Sequence, residues 1–151
     1  MQIRAAGLSA IMLAALGTLI APAASAAPAS VTAAVYVRSE ATNLCLTAYT
    51  DVLEVQTTVC QGFNEQKWEW VRSAQPEFGM LRNVASGRCL DANTSGAVYS
   101  NSCNINNTYQ WWARQPDTSI RHGASGRYLD SNAAGDVYTL PRNGSAYQRW
   151  Y

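Results

Sequence analysis

Gln66-Lys67-Trp68, Gln110-Trp111-Trp112 and Gln148-Arg149-Trp150 are one short motif written three times. The first two copies lie 44 residues apart and the last two 38. A recurrence at about 40 residues marks one supersecondary unit copied three times, each unit too small to bury its apolar face alone. The predicted architecture is a closed, pseudo-threefold, all-β domain.

Working outward from the motif, the second and third copies align at an offset of 39. Ala85-Ser86-Gly87-Arg88-Cys89-Leu90-Asp91 matches Ala124-Ser125-Gly126-Arg127-Tyr128-Leu129-Asp130. Asn93, Gly96, Val98 and Tyr99 match Asn132, Gly135, Val137 and Tyr138. After one deletion, Tyr109-Gln110 matches Tyr147-Gln148. The first copy keeps Arg38, Cys45-Leu46, Val55, Cys60 and Gln66-x-Trp68, but Thr47 stands where the others have Asp. Strand-forming residues alternate with Ser-Gly, Asn-Gly and Gly-Asp turn signals, and no stretch after residue 34 holds a helical apolar period. Four short strands per copy predict twelve strands, closed on themselves so that no sheet edge is left exposed.

Each copy offers the same core set: Leu46, Leu90 and Leu129; Val55, Val98 and Val137; Trp68, Trp112 and Trp150. Large aromatics at the repeat period are read as core, with each indole N–H needing a partner. Gln66, Gln110 and Gln148 are read as structural, bonding backbone groups that irregular turns leave unpaired.

The N-terminus reads differently. Met1-Gln2-Ile3-Arg4 is a short basic start, Ala5 to Ala21 is uncharged and apolar or small, and Ala24-Ser25-Ala26 is an A-x-A cleavage site. Residues 1–26 are therefore expected to be a secretory signal peptide, which predicts a secreted, extracellular protein. The other reading is a membrane anchor, for which the apolar run is marginal in length. Residues 27–34, Ala-Pro-Ala-Ser-Val-Thr-Ala-Ala, are expected to form a flexible arm, and residues 35–151 the folded domain.

Without Arg4, ten cationic and ten acidic side chains remain. Nine of those cations are Arg, dispersed along the chain, and Lys67 is the other. There is no basic field for nucleic acid or anionic lipid, and membrane insertion is not expected. Cys45 and Cys60 fall inside the first copy, and Cys89 and Cys103 inside the second. Equivalent places in two copies predict the bridges Cys45–Cys60 and Cys89–Cys103, formed in an oxidising compartment. Each would stabilise by about 3 kcal/mol in the chain-entropy model. No pair has C-x-x-C spacing, so neither metal nor cofactor is expected.

The three Gln-x-Trp motifs, Gly87-x-Cys89-Leu90-Asp91, its partner Gly126-x-Tyr128-Leu129-Asp130, and the Cys pair in two copies together resemble the ricin B-chain-like β-trefoil lectins. The resemblance covers about Tyr36 to Tyr151. It implies a β-trefoil with up to three shallow sugar sites, one per copy, and no catalysis. It also implies an Asp after the Cys-Leu pair, a stacking aromatic two residues before the second Cys, and an Asn just before the Gln. Asp91 and Asp130 fit the first position and Thr47 departs from it. The stacking position falls on Thr58, Asn101 and Leu140, and the Asn position on Glu65, Tyr109 and Tyr147.

Tyr99 and Tyr138 lie two residues before the vacated stacking positions, on the same side of an extended strand. Two carbohydrate sites are therefore expected, Asp91 with Tyr99 and Tyr109, and Asp130 with Tyr138 and Tyr147. The alternative is that these tyrosines seal the barrel rim and the aspartates close turns. Trp111 corresponds to Lys67 and Arg149, so it is expected to face solvent as a contact for sugar or protein. Packing on a neighbouring loop is the alternative.

An enzyme is not expected. His122 is the only histidine, has no nucleophile motif beside it, and is read as an exposed loop residue. Phosphate-cradling and H-E-x-x-H motifs are absent. Asp91 and Asp130 sit in different copies, too far apart for a glycosidase pair. The expected partner is a glycan or polysaccharide. The competing reading is a targeting or adaptor subunit that joins a separate secreted chain, toxic or hydrolytic, with the N-terminal arm adding a strand to that partner.

Overall fold

The computed structural model describes residues 32–151. The signal-peptide segment and the start of the arm lie outside the described residues. Eleven strands are present among the described residues: β1 Val35–Tyr36, β2 Cys45–Ala48, β3 Val55–Thr58, β4 Lys67–Arg72, β5 Gly79–Asn83, β6 Cys89–Ala92, β7 Val98–Asn101, β8 Trp112–Arg114, β9 Ile120–His122, β10 Tyr128–Ser131 and β11 Val137–Leu140. Three single-turn 3₁₀ helices, Asn64–Gln66, Thr108–Gln110 and Ala146–Gln148, stand at equivalent places in the copies.

The expected twelfth strand is corrected to two isolated bridges. Ser39 pairs with Trp150 and Ser119 with Arg149, so the last copy closes the ring over only two residues. Arg38 and Tyr151 exchange backbone hydrogen bonds of 2.8 and 3.0 Å across this seam. Within the arm, Thr32 exchanges hydrogen bonds with the backbone of Trp70.

All pairing is antiparallel. Nine strands form one continuous sheet, and β2 and β3 form a separate hairpin. That hairpin is tied in by the bridges Glu54↔Tyr99 and Gln56↔Asp136, while Ala97↔Tyr138 links the other two hairpins. The three hairpins thus meet edge to edge. Thr57 N–H donates to Gly135 O (2.8 Å), Thr139 N–H to Gly96 O (2.8 Å) and Ser100 N–H to Leu53 O (2.7 Å). Gly96 and Gly135 carry φ of +107° and +101°, and an added Cβ at either would lie 2.8 Å from the facing Thr139 or Thr57 carbonyl oxygen. Only a residue without Cβ meets both demands.

Strand alternation turns one face inward. In β3, Val55 and Thr57 are buried while Gln56 and Thr58 are less so. The buried faces converge on one cluster containing Val37, Leu46, Leu81, Leu90, Ile120, Leu129 and the three tryptophans Trp68, Trp112 and Trp150. Each indole N–H donates to the carbonyl of the leucine in its own copy: Trp68 to Leu46 (2.9 Å), Trp112 to Leu90 (3.0 Å) and Trp150 to Leu129 (3.1 Å). This meets the one polar requirement of a buried Trp. Two disulfides, Cys45–Cys60 and Cys89–Cys103, close the first two copies. In the third, Tyr128 takes the place of the first Cys.

Gly87 also has positive φ, +67°, but open space around it. Gly87→Ala should cost about 1–2 kcal/mol from the left-handed backbone alone. Gly135→Ala adds a collision with Thr57 and should cost about 3 kcal/mol, a difference that urea unfolding of the two variants will read.

Candidate functional site

In each copy the chain leaves the hairpin, crosses a loop and enters the 3₁₀ turn that carries the repeated glutamine. The side chain of that Gln is buried. Its Oε1 accepts a loop N–H: Gln61 to Gln66 (2.7 Å), Asn104 to Gln110 (2.8 Å), Asn143 to Gln148 (2.9 Å). Its Nε2 donates to a carbonyl past the hairpin: Val59 (2.8 Å), Ser102 (2.9 Å), Pro141 (3.0 Å). The remaining Nε2 proton reaches the residue that the copies do not share. Gln110 donates to Asp91 Oδ2 (3.0 Å) and Gln148 to Asp130 Oδ2 (2.9 Å). The glutamines thus do more than pair turn backbone. They hold the site carboxylates.

Asp91 and Asp130 are each 2% exposed. Each Oδ2 takes a second bond, from Asn107 Nδ2 (3.3 Å) and Asn143 Nδ2 (3.3 Å) respectively. Asp91 Oδ1 has no hydrogen-bond partner among the described residues. A buried carboxylate oxygen left unpaired is costly, and a ligand hydroxyl would relieve that cost.

Register places Asp91 opposite Tyr99 and Asp130 opposite Tyr138. Directly opposed residues share a face of the sheet. Burial, then the charge of Asp91 and a hydrogen bond to it, pushes the Tyr99 hydroxyl's pKa up, with Tyr109 contributing. The same order of causes, burial and then Asp130, raises Tyr138, with Asp136 and Tyr147 contributing. Asp91, Tyr99 and Tyr109 therefore form one cluster, and Asp130, Tyr138 and Tyr147 another. The clusters differ in one respect: Tyr138 donates its hydroxyl to Ser131 O (3.1 Å). Burial also raises the pKa of Asp130, against the hydrogen bonds from Gln148, Ser131 and Asn143 that lower it.

Several residues sit elsewhere than the sequence indicated. Trp111 is not free in solvent. It is half-buried, stacks on Phe78 at 5.8 Å and donates its indole N–H to Ile105 O (3.0 Å), because Gly123 leaves room for it to fold back. Its contacts are with this loop rather than with the Asp91 cluster. His122 is not an exposed loop residue. It is fully buried at the end of β9, 4.8 Å from the Trp112 ring, with Nε2 at Tyr109 O (2.9 Å) and Nδ1 at Ser125 Oγ (2.8 Å). It repeats the role of Asn83, whose Nδ2 donates to Glu65 O (2.8 Å). Asn107 and Asn143 are the site residues that sequence reading missed. They stand three and five positions before their glutamines, so a fixed offset found tyrosines instead. Asn104-x-x-Asn107 and the lone Asn143 were the available signal.

The family model of the Ricin-type beta-trefoil lectin domain matches residues 33–150. The chain belongs to the ricin-type β-trefoil lectin family. Among curated proteins, none matches the sequence. Among solved structures, it is similar to the designed threefold-symmetric protein ThreeFoil, at 22% identity and TM-score 0.68, over 76% of this chain and 94% of that one. It is similar to the Haemophilus ducreyi cytolethal distending toxin, at 16% identity and TM-score 0.67, over 77% and 80% of the two chains. It is also similar to SeviL, solved with asialo-GM1 saccharide, at 14% identity and TM-score 0.64, over 76% and 91%. These likenesses establish the trefoil fold. The ricin-type frame explains what the glutamines and tryptophans do, and the family assignment carries carbohydrate binding with it. Among the described residues there is no metal-binding group of His, Cys, Asp or Glu, and no helix is long and apolar enough to cross a membrane.

Burial holds the His122 pKa below its ordinary 6.5, against the Tyr109 carbonyl and the Asp91 charge. The unfolded chain therefore takes up this proton first. The contribution of neutral His122 to stability is whole above pH 6.5 and is lost as pH falls below it. Asp130 acts oppositely: its raised pKa favours the fold below 3.8, and that contribution fades as pH rises through its folded value. His122→Asn, copying Asn83, should flatten the loss of stability just below pH 6.5 and leave the Asp130 component in place, as read by urea unfolding across pH.

Proposed function

We propose that the protein is a secreted, non-catalytic lectin that binds glycans through shallow sites on its second and third copies. The observation that carries this is the matched hold on Asp91 and Asp130. In both, a Gln and an Asn amide take one carboxylate oxygen, and two tyrosines complete the cluster. Sugar recognition asks for a carboxylate that accepts from hydroxyls and a ring face for the sugar's C–H groups. Tyr109, 42% exposed, supplies such a face beside Asp91. The Asp91 site keeps a carboxylate oxygen, Oδ1, with no hydrogen-bond partner among the described residues.

Residues 1–26 act in this reading as the signal peptide and residues 27–34 as an arm. The single histidine is packed against the core and serves the fold rather than chemistry. A second reading, a targeting or adaptor subunit of a larger secreted complex, draws on one observation. Val35, Tyr36 and Tyr151 line an apolar cleft of about 570 Å³ beside the point where the arm enters. Co-purification of a second secreted chain, lost when residues 27–34 are removed, would favour that reading.

Asp91→Ala combined with Asp130→Ala should lower retention on every glycan the wild type binds by about 10- to 100-fold, the value of a hydrogen bond to a charged group. A glycan array with a thermal melt as the folding control will test this. Unchanged retention by a folded double variant would remove both sites.

A further inference from the structure

The first copy lacks the site carboxylate, yet it holds an open pocket of about 510 Å³ lined by Thr47, Tyr49, Thr58, Gln61, Phe63 and Glu65 around Gln66. Copy-to-copy equivalence shows how its chemistry has been rearranged. Thr47 replaces Asp91 and Asp130. Phe63 precedes the 3₁₀ turn where Asn107 does in the second copy. Tyr49 stands where Asn93 and Asn132 cap their hairpins. Glu65 stands where Tyr109 and Tyr147 supply aromatics. Acid and aromatic have changed places: the floor is neutral, the walls are aromatic and the carboxylate is at the rim.

The floor offers a ligand no proton. Thr47 Oγ1 donates to Cys45 O (2.9 Å), so Thr58 Oγ1 is the donor in the 2.8 Å contact between the two threonines. Gln66 Nε2 is consumed by Thr58 Oγ1 (2.9 Å) and Val59 O (2.8 Å). What the floor leaves free are acceptors, while the Tyr49 hydroxyl proton and the Gln61 amide stand on the walls. The Tyr49 ring is fixed by the Gln56 amide on its hydroxyl. Phe63 is 58% exposed. The Glu65 carboxylate has no hydrogen-bond or ion-pair partner among the described residues, and the neighbouring Lys67 is taken up by Asn64 Oδ1 (3.2 Å). No cation lines the pocket.

A pocket with two aromatic walls, a floor of acceptors, no cation and one unpaired negative charge selects a ring that brings positive charge. Its ammonium would donate a charge-assisted hydrogen bond to Glu65 and gain a cation–π contribution from the walls. An acidic sugar would be repelled, and a neutral one would gain stacking and hydroxyl hydrogen bonds but no ion pair. We infer that the first copy binds a sugar carrying a free, protonated amine, a hexosamine unit as in deacetylated chitin. This rests on the glycan-binding reading above, and it gives the protein a site whose selectivity differs from that of the Asp91 and Asp130 clusters.

Calorimetry in mildly acid buffer, with glucosamine oligomers against their N-acetylated counterparts, tests this in the Asp91→Ala, Asp130→Ala background. The free-amine oligomer should bind about tenfold tighter, and added salt should weaken it selectively. Glu65→Gln should abolish that preference, and Phe63→Ala should weaken both oligomers, with melting temperature reporting the fold. Equal binding of the two oligomers, or an unchanged preference in Glu65→Gln, overturns the inference. If the amine preference holds while wild-type array binding proves independent of Asp91 and Asp130, this site stands and the second- and third-copy sites fall.

Discussion

A primary amide buried away from water must place two protons and a carbonyl oxygen. Gln66, Gln110 and Gln148 place them in three directions: a loop N–H, a carbonyl beyond the hairpin, and a side-chain oxygen of the hairpin, on its first strand for Asp91 and Asp130 and on its second for Thr58. Two residues on, the Trp indole secures the carbonyl of the leucine in that same strand. In the second and third copies the Gln and Trp of one motif thus grip one strand from two sides, and in the first they grip the two strands of one hairpin. The loop, the strand and the hairpin cannot shift separately without orphaning a buried polar group, at about 1–3 kcal/mol each. The core and the binding cluster of a copy are therefore held by one tripeptide.

That common hold is what lets the copies diverge in chemistry. The oxygen that receives the second amide proton can belong to an aspartate or a threonine without changing the frame. Thr58 meets the need in the first copy through its contact with Thr47, and Asp91 or Asp130 meets it in the others. The same tolerance appears on the core side, where Asn83 and His122 both reach the carbonyl of the residue before the glutamine. His122 adds a ring packed against Trp112 and, with it, a sensitivity to acid that Asn83 lacks.

Much of the fold was legible because it depends on residues that recur. The tryptophans, the leucines after the Cys or Tyr position and the paired cysteines repeat at one period, and periodic apolar residues in a duplicated unit have to share one interior. The Asp–Tyr pairs were legible too, since the hairpin register that opposes Asp91 to Tyr99 follows from strand alternation between matched ends. The asparagines were not. Asn107 and Asn143 reach their carboxylates from loops of different length, and no offset counted along the chain relates them. Trp111 and His122 were misplaced for a related reason. Their surroundings are set by Phe78, Gly123 and Tyr109, residues distant from them in any copy-to-copy alignment.

By itself the sequence determined the threefold duplication, the closed β architecture, the identity of the core and the two cysteine pairs, because each rests on a pattern repeated along the chain. Only the tertiary structure decided which amides hold the carboxylates, which oxygen of Asp91 is left without a partner, and that the copy without the aspartate has a pocket between Tyr49, Phe63 and Glu65. Those outcomes depend on where side chains from separate loops meet in space, and hydrogen bonds are satisfied by distance and direction rather than by sequence spacing.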